Sequence, residues 1–190
     1  MPALPAWTVE KRSTSGSALV TLDEIKDWVR VRGSDQDTVL SVIQDTVHEA
    51  FEEAFGRATR TGTYRMEFDN VLPARATVEL PRPPLSSLDT VERYDEADEA
   101  WETVPAGDYQ VVRDAEQVPA TVEPVDTTWP VDRLRFTYTA GYAAGSEPSQ
   151  LKTALLMLAA HLYEHRGDAD MEQVPPQLME RFGGLNVVWQ

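Results

Sequence analysis

The sequence has no cysteine. That excludes disulfides, thiol chemistry and every zinc site built on thiolates. Lysine is scarce too: only Lys11, Lys26 and Lys152 occur, and Lys plus Arg number 17 against 32 Asp plus Glu. The formal charge is −15. A surface this acidic repels phosphate, so sequence-led nucleic-acid binding is disfavoured; simple solubility is the first reading of the charge, and a wall that DNA slides past without sticking would also suit it. Long apolar runs are also missing. The longest wholly apolar stretch spans residues 154–160, whereas a membrane span needs roughly 20 such residues. The opening MPALPAWTVEKRSTSGS carries no apolar core of the signal-peptide kind, so a soluble chain is expected. There is no P-loop, no dinucleotide-binding glycine pattern and no Gly-x-Ser-x-Gly, and no cofactor is implied.

What is present supports a real core. Apolar residues make up 42% of 190, and aromatics are spread along the length, which argues against global disorder. Residues 1–19 mix Pro, Ser and Gly around a single Trp7 and read as a flexible arm. Thr21-Leu22-Asp23-Glu24 is a capping box, followed by Leu22, Ile25, Trp28 and Val29 on one helical face. Ser34 offers a second start, with Asp35 and Asp37 at the positive end of the helix. Leu40, Ile43, Val47, Ala50 and Ala54 then keep a three-and-four spacing that Val39, Phe51 and Phe55 widen, and Gly56 is a left-handed stop. From Thr63 the period changes to two: Tyr64, Met66 and Phe68 alternate with charged residues, as Leu134, Phe136 and Tyr138 do later. Leu80-Pro81-Arg82-Pro83-Pro84-Leu85 is a stiff extended corner. A third helix opens at Pro148 with Leu151, Ala154, Leu155, Leu158 and Leu162 on one face, and Pro175-Pro176 introduces a short fourth.

These elements predict an α+β fold: a small helical bundle of two long helices plus shorter ones, with an inserted antiparallel β subdomain. Residues 20–57 and 146–183 form the helical core, 62–142 the inserted β subdomain and 184–190 a C-terminal tail. The long helices at 35–55 and 148–166 are expected to pack on each other, since neither buries its stripe alone.

Five stretches in order resemble the head–tail connector (adaptor) proteins of tailed phages, which have relatives in gene transfer agents. They are TLDEIKDWVRV (21–31), AFEEAFGR (50–57), LPRPPLSSL (80–88), FTYTAGY (136–142) and LKTALLMLAAHLYEHR (151–166). The resemblance implies a structural ring, dodecameric in the family, between the portal and the next neck protein, a head-closure (stopper) or tail-terminator. It implies a DNA channel, no catalytic residues and no membrane, with assembly in the host cytoplasm and residence in the particle neck. The tail lies outside the resemblance. Its Leu185, Val187, Val188 and Trp189 follow a Gly-Gly hinge and are the expected portal-binding residues, as an aromatic anchor suits a partner pocket. Free strand edges of the β subdomain are a second candidate for contact between subunits.

Two rival readings come from other classes. His161-Leu162-Tyr163-Glu164-His165 matches H-x-x-E-H, in which two imidazoles one helical turn apart hold zinc and the glutamate is the base. A third ligand would have to be Glu172 or Glu180. The other rival is a non-viral module whose β block binds peptides. The acidic run Asp95–Glu99 lacks the glycine and the terminal glutamate of a calcium loop and reads as a solvated hairpin tip. No metal is expected.

Overall fold

The computed structural model describes residues 7–68, 72, 76–115, 118–126, 129, 133–168 and 173–185. Among them the order is β1 (Trp7–Thr14), α1 (Leu22–Val29), α2 (Asp37–Phe55), β2 (Gly62–Phe68), β3 (Val78–Leu80), β4 (Leu85–Asp95), β5 (Ala100–Thr103), β6 (Tyr109–Ala115), β7 (Val118–Pro124), β8 (Leu134–Ala140), α3 (Ser149–Glu164) and α4 (Pro176–Arg181). The fold is therefore mixed α and β, with two antiparallel sheets ordered β1-β2-β8-β4-β5 and β3-β7-β6.

The helices share one apolar core. Ile25 of α1, Leu40, Val47 and Phe51 of α2, and Leu151, Leu155 and Leu158 of α3 are at most 1% exposed within it. The two long helices thus pack together as their stripes predict. Leu178 and Phe182 close the core from α4. The capping box at Thr21 forms: its hydroxyl accepts from the Glu24 amide at 3.2 Å, and the Glu24 carboxylate accepts from the Thr21 amide at 2.9 Å. Glu24 also receives Lys152 Nζ at 2.6 Å, tying α1 to α3. That ion pair, with the Thr21 amide, holds the Glu24 carboxyl below its ordinary value. Thr21→Ala should cost about 1 kcal/mol, read as a lower urea midpoint with an unchanged slope.

Several expectations shift. Ser34 does not cap α2; Gln36 occupies that position and makes no side-chain cap bond. Trp28 and Val39, placed on apolar stripes by spacing, are 47% and 38% exposed because they fall at the margins of the packed faces.

The sheets form a second core. Tyr64, Met66 and Phe68 on β2 stand opposite Tyr138, Phe136 and Leu134 on β8, and all six are buried. Residues of both sheets, including Val78, Leu80, Val91 and Val122, join this single cluster. Residues 7–19 differ most from expectation. Trp7–Thr14 is not an irregular arm but a strand paired along β2, from Trp7↔Phe68 to Thr14↔Gly62. Leu19 and Val20 are buried in the helical core. The β unit is therefore not wholly an insertion, because one strand precedes the helices.

Candidate assembly surfaces

The chain crosses between helices and sheets at residues 56–61 and 141–148, and these crossings lie side by side. The Tyr142 amide donates to the Thr59 carbonyl at 3.2 Å, and the Thr61 amide donates to the Tyr142 carbonyl at 3.2 Å. Gly141 makes this approach feasible. Its φ is +104°, and a Cβ there would lie 2.2 Å from the Arg60 carbonyl oxygen.

Buried polar side chains pin the junction. Arg57 is 1% exposed; its Nη2 donates to the Tyr142 hydroxyl at 2.9 Å and its Nη1 to the Leu185 carbonyl at 3.4 Å. Glu52 accepts from the Thr59 amide at 2.9 Å, the Thr59 hydroxyl at 2.7 Å and Lys11 Nζ of β1 at 2.8 Å. Arg82 donates to the Glu52 main-chain carbonyl. His48, which reads from spacing as a polar-face residue, is fully buried, with Nδ1 3.1 Å from the Thr59 hydroxyl. Since that hydroxyl gives its hydrogen to Glu52, His48 must donate from Nδ1, leaving Nε2 a bare acceptor with no partner.

Three of the five stretches that carry the family resemblance meet here: 50–57 supplies Glu52 and Arg57, 80–88 supplies Arg82, and 136–142 supplies Tyr142. The other two, 21–31 and 151–166, meet through Glu24 and Lys152. The described polar groups of the junction bond to one another and to the main chain, as the parts of a structural joint do.

The imidazole pair does not assemble a zinc site among the described residues. The rings of His161 and His165 lie 4.5 Å apart. His165 stands past the last residue of α3, and its Nδ1 is 2.9 Å from the His161 carbonyl oxygen. Among the described residues, the His, Asp and Glu side chains that gather three ligand atoms within range are Asp95, Asp98 and Glu102. Glu172 lies outside the described residues. The acidic trio sits at the β4–β5 turn, where Asp95 accepts from the Ala97 amide at 2.8 Å and Glu102 is paired with Arg93 at 2.7 Å.

The tail residues separate. Leu185, expected at an exposed tail, is 3% exposed in the helical core, because the 3₁₀ turn at Gly183–Leu185 folds it back beside Phe182. It is not available as a docking residue in this conformation. Val187, Val188 and Trp189 lie outside the described residues. Elsewhere Val111, Val112 and Val125 are 41%, 54% and 57% exposed along and beside the free edge of β6.

No protein-family model and no curated protein matches this sequence. Solved structures do. One similar chain comes from the neck of an empty gene transfer agent (GTA) particle computed with C6 symmetry, with a TM-score of 0.77, 19% identity and coverage of 96% of this chain and 97% of that one. The fold is one found in a GTA neck. A second similar chain comes from the virion of a native GTA particle, with a TM-score of 0.74, 22% identity and 96% coverage of each. A third comes from the neck of a native GTA particle computed with C12 symmetry, with a TM-score of 0.69, 20% identity and coverage of 96% and 97%. None of the described helices is long and apolar enough to cross a membrane.

Proposed function

We propose that this chain is a structural ring subunit of the neck of a tailed-phage or GTA-like particle. It joins the portal to the next neck protein, a head-closure or tail-terminator component. The observation that carries the reading is the GTA-neck likeness across 96% of the chain. The net charge of −15 supports a channel that passes DNA without holding it. In this reading the chain binds its own copies and the portal, needs no cofactor, and is assembled in the host cytoplasm into the neck.

The portal-binding segment is the end of the chain, Val187, Val188 and Trp189. Leu185 and its carbonyl belong to the fold, so the boundary of the docking tail falls after Leu185. Particles made with a chain cut after Leu185 should contain DNA-filled heads lacking this protein at the portal, while the purified variant keeps its unfolding midpoint. Electron microscopy and denaturation check the two halves. Normal occupancy at the portal by the shortened chain would refute the tail assignment. Normal necks in particles made without the gene would refute the function.

A further inference from the structure

A closed ring of one chain needs two different patches on each copy, facing opposite ways, because head-to-tail contacts are heterologous. The helical layer carries such a pair. The first patch is the outer face of α2. Val42 is 63% exposed and Val39 is 38% exposed. Val42 stands nine residues before the buried Phe51, half a turn away from it round the helix. Asp45, Glu49 and Glu53 are exposed on the same side, and α2 has no Lys or Arg.

The second patch is a groove of about 440 Å³ between α1, α3 and α4. Trp28, Met157, Ala160 and Leu178 give it an apolar floor; Arg181 supplies a cation, and His161 and Glu164 also lie on it. Ala160 stands nine residues after the buried Leu151, so the groove side of α3 faces away from the shared core as the outer side of α2 does. Trp, Met and Arg are the residue types enriched at the centres of interfaces, and a half-exposed Trp28 at 47% is a natural anchor. Asp45 already takes Arg60 of its own copy at 3.4 Å, and Arg181 of the groove is the cation that answers the Glu49 and Glu53 carboxylates of the α2 face.

We propose that neighbouring copies join by seating Val39 and Val42 of α2 in the Trp28 groove of the next copy. The proposal rests on the ring reading above and specifies how the ring closes. The absence of cysteine gives a clean test. A chain carrying Val42→Cys and Met157→Cys has two thiols on opposite sides of one copy, so oxidation can bridge them only between copies. In assembled particles it should give a covalent ladder reaching the closed ring, and neither single variant should give one. Ala160→Cys replaces Met157→Cys should the latter impair folding. Particles that hold the double variant at the neck yet show no ladder would overturn this interface and leave the ring reading standing. A dimer from Val42→Cys alone would overturn it too, by showing that α2 meets α2. Absence of the chain from the neck would overturn the ring reading and this interface with it.

Discussion

Glu52→Ala should destabilise the fold by about 3 kcal/mol, mainly because it strips two buried donors of their acceptor. The Thr59 amide and hydroxyl lose their shared acceptor, and both are buried. Lys11 loses its partner while its side chain is 30% exposed, so it can swing out to water and that part of the loss is modest. The larger share comes from Thr59, whose amide has no route to solvent. Glu52→Gln keeps an oxygen for Thr59 and should cost about 1 kcal/mol. The comparison separates the acceptor role from the charge. It also has a spatial signature: amides of β1 should exchange faster in Glu52→Ala, because Lys11 ties that strand to α2. Urea midpoints and hydrogen exchange would check both. An Ala variant within 0.5 kcal/mol or so of the parent, the range of ordinary surface changes, would mean the joint is not held by Glu52.

That joint shows what the sequence conveyed and what it withheld. Strands β2 and β8 were legible because one face of each is buried, so Tyr64, Met66 and Phe68, and Leu134, Phe136 and Tyr138, alternate cleanly. The long helices were legible for the same reason at a period of 3.6. β1 was not. Apart from Val9, all its residues are exposed, so it has no alternation to read, and its pairing with β2 is a contact with residues some fifty positions away. His48 and Glu52 were missed because their side of α2 is covered by the loop of residues 57–61 rather than by another helix. A helical wheel shows which residues share a face but not which loop closes over it. Leu185 was misplaced by a related error: a Gly-Gly pair reads as a hinge to a free tail, yet here it makes a tight turn that returns the chain to the core. The resemblance, by contrast, drew on the residues of the joint itself. Its stretches look unrelated in sequence and become one object when 50–57, 80–88 and 136–142 are brought together.

The same joint should make the protein sensitive to mild acid. Burial, with help from the nearby Arg60 charge, lowers the His48 pKa from 6.5 to about 4. Below pH 6.5 the unfolded chain takes up this proton first, while the folded chain resists it until about 4. Stability therefore falls across that window and levels off beneath it. The gap corresponds to about 3 kcal/mol. The structural reason is the bare Nε2: a proton placed there would be a buried charge with no acceptor. Glu52 adds to the fall at lower pH. Burial alone would raise its pKa, but the bonds from Lys11 and Thr59 outweigh it and the pKa lies below 4.5. Its contribution is present above the ordinary carboxylate range and is lost only as the pH drops through its lowered value. The two groups thus act in different windows. Urea midpoints at pH 7, 5.5 and 4 should decline steeply for the natural chain. His48→Gln, whatever its stability at pH 7, should decline much less between 7 and 4. Parallel declines would show that His48 takes no part.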